Sequence, residues 1–171
     1  MKLLIERRWA MPNKWTFKIK PIAELLKEEV RQEELWIDPF AGECSPAKIT
    51  NDLNPERDTM YHLEALDFLK TFEDCSVDGV LYDPPYSQRQ VKECYDSIQG
   101  NIKWNGEMTF WSLSKDEISR IVKPGGKVIC FGWNSMGCGK NRGFKLERIL
   151  LVPHGGSRND TICTVERKVQ L

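Results

Sequence analysis

Histidine is scarce in this chain, two in 171 residues, and the six cysteines (44, 75, 94, 130, 138 and 163) include no Cys-x-x-Cys pair. That pattern gives no basis for a structural zinc site, and scattered cysteines read as reduced thiols rather than a disulfide framework. No apolar run approaches the roughly 20 residues that a membrane-spanning helix needs, and Met1-Lys2-Leu3-Leu4 does not open a signal-peptide pattern. Internal repeats and an interdomain linker are missing too. Residues 1–171 therefore read as a single domain, and 40% apolar residues suffice for its core. Net charge is zero, but it is uneven: +3 over residues 1–30, −9 over 31–86 and +6 over 87–171. An acidic middle suits a cationic ligand, and a basic C-terminal half suits phosphates.

The most informative stretch is Val80-Leu81-Tyr82-Asp83-Pro84-Pro85-Tyr86. An apolar run reads as the end of a buried strand, and two prolines then stop it, because each ring fixes φ and removes a backbone donor. The strand's carboxyl end, where open α/β sheets bind ligands, so carries a rigid turn with a carboxylate, a carbonyl and an aromatic face. The chemistry is that of a clamp for a flat, amine-bearing ring. Asp83 and the Pro84 carbonyl can accept hydrogen bonds from an exocyclic amine while Tyr86 supplies a stacking surface.

Other segments complete an α/β pattern. Pro21, Ile22, Leu25, Leu26 and Val30 predict an amphipathic helix over 21–32. Leu35-Trp36-Ile37-Asp38-Pro39-Phe40-Ala41-Gly42 is a short strand running into a small-residue turn, and Ile49-Thr50-Asn51-Asp52-Leu53 is a second strand with an acidic end. Only residues 41–48, Pro46 among them, connect the two. Parallel strands normally need a dozen residues and a helix between them. At ~3.3 Å per residue the extended segment still reaches ~26 Å, so the expectation is a parallel return with the first crossover helix shortened or missing. N-terminal aromatics or a partner chain would then cover the exposed face. Ser114-Lys115-Asp116-Glu117 has the form of a capping box for a helix ending at Val122, followed by Pro124-Gly125-Gly126 and a buried strand over 127–133. Residues 144–153 and 160–168 alternate as a terminal antiparallel hairpin. Residues 87–90 read as a loop, and 98–109 as irregular chain.

Asp83-Pro84-Pro85-Tyr86 resembles the catalytic DPPY tetrapeptide of the amino-methyltransferases, which move a methyl group from S-adenosylmethionine to adenine N6 or cytosine N4 of DNA. Asp38-Pro39-Phe40-Ala41-Gly42 resembles that family's first cofactor motif, and Thr16-Phe17-Lys18 its N-terminal one. The resemblance covers most of the chain and implies a Rossmann-like methyltransferase fold of about seven strands, mostly parallel, in a small, single-domain, phage-like form. It implies S-adenosylmethionine contacts by Phe17, Asp38, Pro39, Phe40, Ala41, Gly42, Asp52, Leu53, Glu64 and Ala65, with Asp52 on the ribose hydroxyls and Glu64 on the adenine amine. It implies catalysis by Asp83, Pro84, Pro85 and Tyr86, Tyr86 acting through its ring. Ser87, Arg89, Lys140 and Arg142 are the candidates for nucleic-acid contact. No metal is called for.

The activity implied is DNA adenine N6 methylation of a flipped-out base in the cytoplasm of a bacterial, archaeal or phage-infected cell. The residues leave open an RNA methyltransferase acting on guanine N2 or adenine N6, a DNA cytosine N4 enzyme, and an inactive nucleic-acid-binding module. Pro-Cys is absent, which disfavours C5-cytosine chemistry with its thiolate nucleophile. Residues 87–110 are too few for a separate target-recognition domain, so sequence specificity is expected to be short, weak or supplied by a partner, and the partners to look for are a second copy of the chain or a specificity protein.

Overall fold

The computed structural model describes residues 2–98, 100 and 109–169. Seven strands form one sheet: β1 (Leu4–Arg7), β2 (Trp36–Asp38), β3 (Ile49–Thr50), β4 (Val77–Tyr82), β5 (Val122–Gly132), β6 (Phe144–Val152) and β7 (Thr161–Lys168). Their order is β1-β6-β7-β5-β4-β2-β3. β1 runs parallel to β6, and β3, β2, β4 and β5 are mutually parallel. β7 is antiparallel to both β5 and β6, which makes the expected C-terminal hairpin.

Four helices accompany the sheet: α1 (Lys20–Glu29), α2 (Ala65–Lys70), α3 (Gln88–Ser97) and α4 (Thr109–Ile121). Pro21 in the first turn starts α1, where a missing N–H costs nothing. Ile22, Leu25 and Leu26 then bury one stripe against Trp36, Leu81, Ile129, Phe131 and Val165. On the other face α2 and α4 pack Phe68, Leu69, Ile118 and Ile121 onto Ile37, Val80, Tyr82 and Val128. Alternate residues of β4 and β5 thus enter opposite cores, as the two-residue period of a strand requires. Gly79 is dictated by this packing. A Cβ there would lie 2.4 Å from the ring of Trp36, which is itself almost wholly buried.

No helix joins β2 to β3. The return is extended chain, pinned by Lys48 N–H to the Trp36 carbonyl, and Trp15 packs its ring on Gly42 over this stretch.

Several local expectations are corrected. Of the about seven strands, one is the N-terminal edge strand β1, and Glu64 follows only an isolated bridge between Asn51 and Tyr61. Ser114 caps nothing. It is buried within α4 and its hydroxyl donates to the Phe110 carbonyl, one turn back. Residues 88–97 are helix rather than loop, because the Ser87 hydroxyl caps α3 by accepting from Gln90 N–H. The irregular stretch expected over 98–109 falls mostly outside the described residues.

Candidate active site

The carboxyl ends of β2, β3 and β4 open into a cleft of about 1060 Å³. It is lined by nine of the ten residues expected to meet the cofactor, Phe17, Pro39, Phe40, Ala41, Gly42, Asp52, Leu53, Glu64 and Ala65, and by all of Asp83-Pro84-Pro85-Tyr86.

Asp38 is the exception. It is fully buried beneath the turn, where Oδ1 accepts from Phe40 N–H at 2.9 Å and Oδ2 from the Ser45 hydroxyl at 2.6 Å. Burial raises its pKa to about 7, against the pull of those two bonds and with the charges of Asp83 and Asp52 adding to the rise. Asp38 therefore builds the turn rather than facing the cleft. Gly42 completes the turn with φ +55°, and its N–H donates to Asp52 Oδ2 at 3.0 Å. Asp52 also accepts from Asn54 N–H. Glu64 sits just before α2, and its side chain makes no capping bond but accepts a 2.6 Å bond from the Tyr95 hydroxyl of α3.

β4 delivers the second half of the cleft. Its last residues are buried on both faces, and Asp83 follows directly. Burial raises the Asp83 carboxyl to about 6, while hydrogen bonds from the Tyr86 and Thr16 hydroxyls oppose the rise. The Tyr86 hydroxyl donates to Asp83 Oδ1. Burial, followed by the neighbouring Asp83 charge, holds Tyr86 well above an ordinary phenol and so firmly protonated. Its ring is met edge-on by Trp133, with centroids 5.5 Å apart. Two further bonds fix the turn: Tyr86 N–H to Gln90 Oε1 at 2.6 Å, and Trp111 Nε1–H to the Pro85 carbonyl at 2.9 Å.

The structure does not bring the four expected nucleic-acid residues to this cleft. Ser87 serves as the α3 cap, and Arg89 pairs with Glu93. Arg142 is committed to Asp116 and Ser112 beside α4, and neither it nor its neighbour Lys140 is among the lining residues. Sequence reasoning gave no specific role to Thr16, Gln90 and Tyr95, which lay within quoted segments, and did not single out Trp111 and Trp133. Thr16 had a signal, since it adjoins the flagged Phe17; the others reach the cleft from elements whose placement no local motif encodes. Among the described residues one cluster of metal-type ligands also gathers, Cys130, Cys138 and Glu166 within 4.8 Å. Both Glu166 oxygens there already accept N–H bonds, from Cys138 and Gly139.

A strand order of this kind, with a cleft at the parallel strands' carboxyl ends and an antiparallel β7, has counterparts of known structure. The chain is similar to the 1,6-didemethyltoxoflavin-N1-methyltransferase of Burkholderia thailandensis, solved with 1,6-didemethyltoxoflavin and S-adenosylhomocysteine bound (TM-score 0.60, 12% identity, 88% of this chain and 78% of that one). The fold is a Rossmann-like methyltransferase fold. It is shared with TrmN from Thermus thermophilus (TM-score 0.55, 18% identity, 88% of this chain and 49% of that one) and with a SAM-dependent methyltransferase from Methanosarcina mazei (TM-score 0.51, 10% identity, 86% and 98%). The chain thus spans about half the length of TrmN. No family model and no curated protein sequence matches it. Identity this low speaks for the methyltransferase fold, which is compatible with S-adenosylmethionine, and not for an acceptor. No helix among the described residues is long and apolar enough to cross a membrane.

Proposed function

We propose that this chain transfers a methyl group from S-adenosylmethionine to the exocyclic amine of a nucleobase. The observation that carries the reading is the Asp83–Tyr86 turn at the end of β4, opening into the same cleft as the Gly42 turn, Asp52 and Glu64. These residues fit the cofactor. A left-handed glycine turn leaves backbone open at a strand end, two carboxylates suit ribose hydroxyls and an adenine amine, and acidic groups favour a cation. Asp52 would take the hydroxyls and Glu64 the amine, with Phe17, Phe40, Leu53 and Ala65 enclosing the remainder. When bound, the cofactor supplies an electrophilic methyl on a sulfonium.

The chain's own groups do the rest. Asp83, with its pKa at about 6, is ionised at neutral pH. Together with the Pro84 carbonyl it accepts the acceptor's N–H groups and aims the nitrogen lone pair. The ring of Tyr86 holds the base by its face, and its hydroxyl keeps Asp83 oriented. Positioning of this kind and acceptors set in advance can account for most of the acceleration.

Adenine N6 of DNA is the acceptor that the tetrapeptide resemblance implies. RNA is the second reading, favoured by the tryptophans at the cleft mouth, and homodimerisation or a specificity partner would narrow the target. The test is transfer of labelled methyl to duplex DNA, single-stranded DNA, total RNA and small heterocyclic amines side by side, followed by nucleoside analysis. Label is expected in a methylamino base. Asp83→Ala should abolish it while S-adenosylhomocysteine, which lacks the sulfonium charge, still binds near wild-type affinity. Transfer that survives Asp83→Ala, or a wild-type protein that fails to bind the cofactor, would sink the reading.

A further inference from the structure

The chain has six tryptophans. Among the described residues only Trp36 lies in the core. Trp15, Trp111 and Trp133 line the cleft. Trp9 lies against the turn after β6, its Nε1 3.6 Å from where a side chain on Gly155 would begin. That turn also sends Ser157 and Arg158 to the lining. Trp9 is 62% and Trp133 41% exposed, so both indoles reach water, Trp133 in the cleft lining and Trp9 beside the turn that sends Ser157 and Arg158 there. Three cations share the lining, Lys14, Arg57 and Arg158. Lys14 sits over the Trp15 ring at 4.9 Å, and Lys14 and Arg158 have no carboxylate partner among the described residues, whereas Arg57 is paired with Glu43.

The geometry points to a binding site for an unpaired segment of RNA along this mouth, its bases stacking on Trp133 and Trp9 and its phosphates meeting Arg158 and Lys14. This rests on the nucleobase reading above and names its substrate class. Open aromatic faces bind bases whose own faces are free, which a duplex does not offer. The charge argues the same way. Duplex binding typically rests on about six to ten phosphate contacts, and the two uncommitted cations at the rim cannot supply them. RNA loops present splayed bases without the cost of opening a duplex.

The experiment is fluorescence anisotropy with the whole chain and end-labelled oligonucleotides of one sequence: single-stranded RNA, single-stranded DNA, and both duplexes. Single-stranded RNA should bind tightest. Trp133→Ala and Trp9→Ala should each weaken it by roughly 5- to 150-fold, the worth of one stacked base, and Trp133→Phe should restore most of the loss. Arg158→Ala should lower the slope of log affinity against log salt by about 0.7. S-adenosylmethionine affinity should not change in Trp9→Ala, which lies outside the cleft lining. RNA affinity that ignores both tryptophans while cofactor binding is intact would overturn the inference. Tighter binding to duplex or single-stranded DNA would do the same, and methyl transfer to duplex DNA independent of Trp9 and Trp133 would overturn it while leaving the methyl-transfer reading in place.

Discussion

Replacing Tyr86 by Phe removes one oxygen and keeps the ring. That oxygen donates to Asp83 Oδ1, and with the Thr16 bond it holds down a carboxyl that burial otherwise pushes up, to about 6. A hydrogen bond to a charged group is worth about 1.5–3 kcal/mol, and 1.36 kcal/mol is one pKa unit. The Phe variant should therefore keep the Asp83 proton until roughly pH 7–8. Only ionised Asp83 attracts a sulfonium. S-adenosylhomocysteine lacks that charge, so the ratio of its dissociation constant to that of S-adenosylmethionine isolates the electrostatic part. Measured by calorimetry between about pH 5 and 9, the ratio should climb with pH around a midpoint near 6 in the native protein. In Tyr86→Phe the midpoint should move up by roughly one to two units. Asp38 titrates nearby but lies beneath the turn and keeps its bonds to Ser45 and Phe40 in both proteins. Superimposable profiles would refute the reasoning, for the phenol would then be a stacking surface alone.

Two further changes test the scaffold. The folded chain holds the Asp38 proton up to about pH 7, against 3.8 ordinarily, so the unfolded chain releases it first and stability falls as pH rises across that interval. Asp38→Asn should flatten this decline in melting temperature, and parallel curves would show that the carboxyl does not titrate there. Gly79→Ala sets a Cβ 2.4 Å from the Trp36 ring, which has nowhere to go while its Nε1 is bonded to Glu34. A loss above about 3 kcal/mol in urea unfolding is expected, with recovery in Gly79→Ala/Trp36→Leu. A loss under about 1 kcal/mol would mean that the core repacks freely.

The class of fold was legible because each strand end carries its own chemistry in sequence. Asp38-Pro39-Phe40 and Asp83-Pro84-Pro85 mark where β2 and β4 stop, and the eight residues before Ile49 were visibly too few for a crossover helix. β1 was not legible. Leu4 and Ile5 at a sheet edge are held by pairing with β6 some 140 residues away, and nothing local encodes that partner. Ser114 misled because Ser-x-x-Glu is a cap only where a helix starts, and α4 is already under way at Thr109. The same distinction governs the cleft. The residues expected to line it sit in strand–turn motifs that sequence displays, whereas Gln90, Tyr95 and Trp133 arrive through tertiary placement. Arg142 looked available for phosphate only because Asp116 and Ser112, its partners, lie 26 and 30 positions away.

One element touches both halves of the cleft. α3 holds the Tyr86 amide through Gln90 and the Glu64 carboxylate through Tyr95, and these grips lie only ~7.5 Å apart along a single helix. A helix gripped at both ends moves as one piece. If the cofactor's adenine engages Glu64 as proposed, any shift of α3 that it causes reaches the Tyr86 turn, and linkage makes the effect mutual by the same factor. Two chemically unrelated ligands would then report on each other's presence through a single helix.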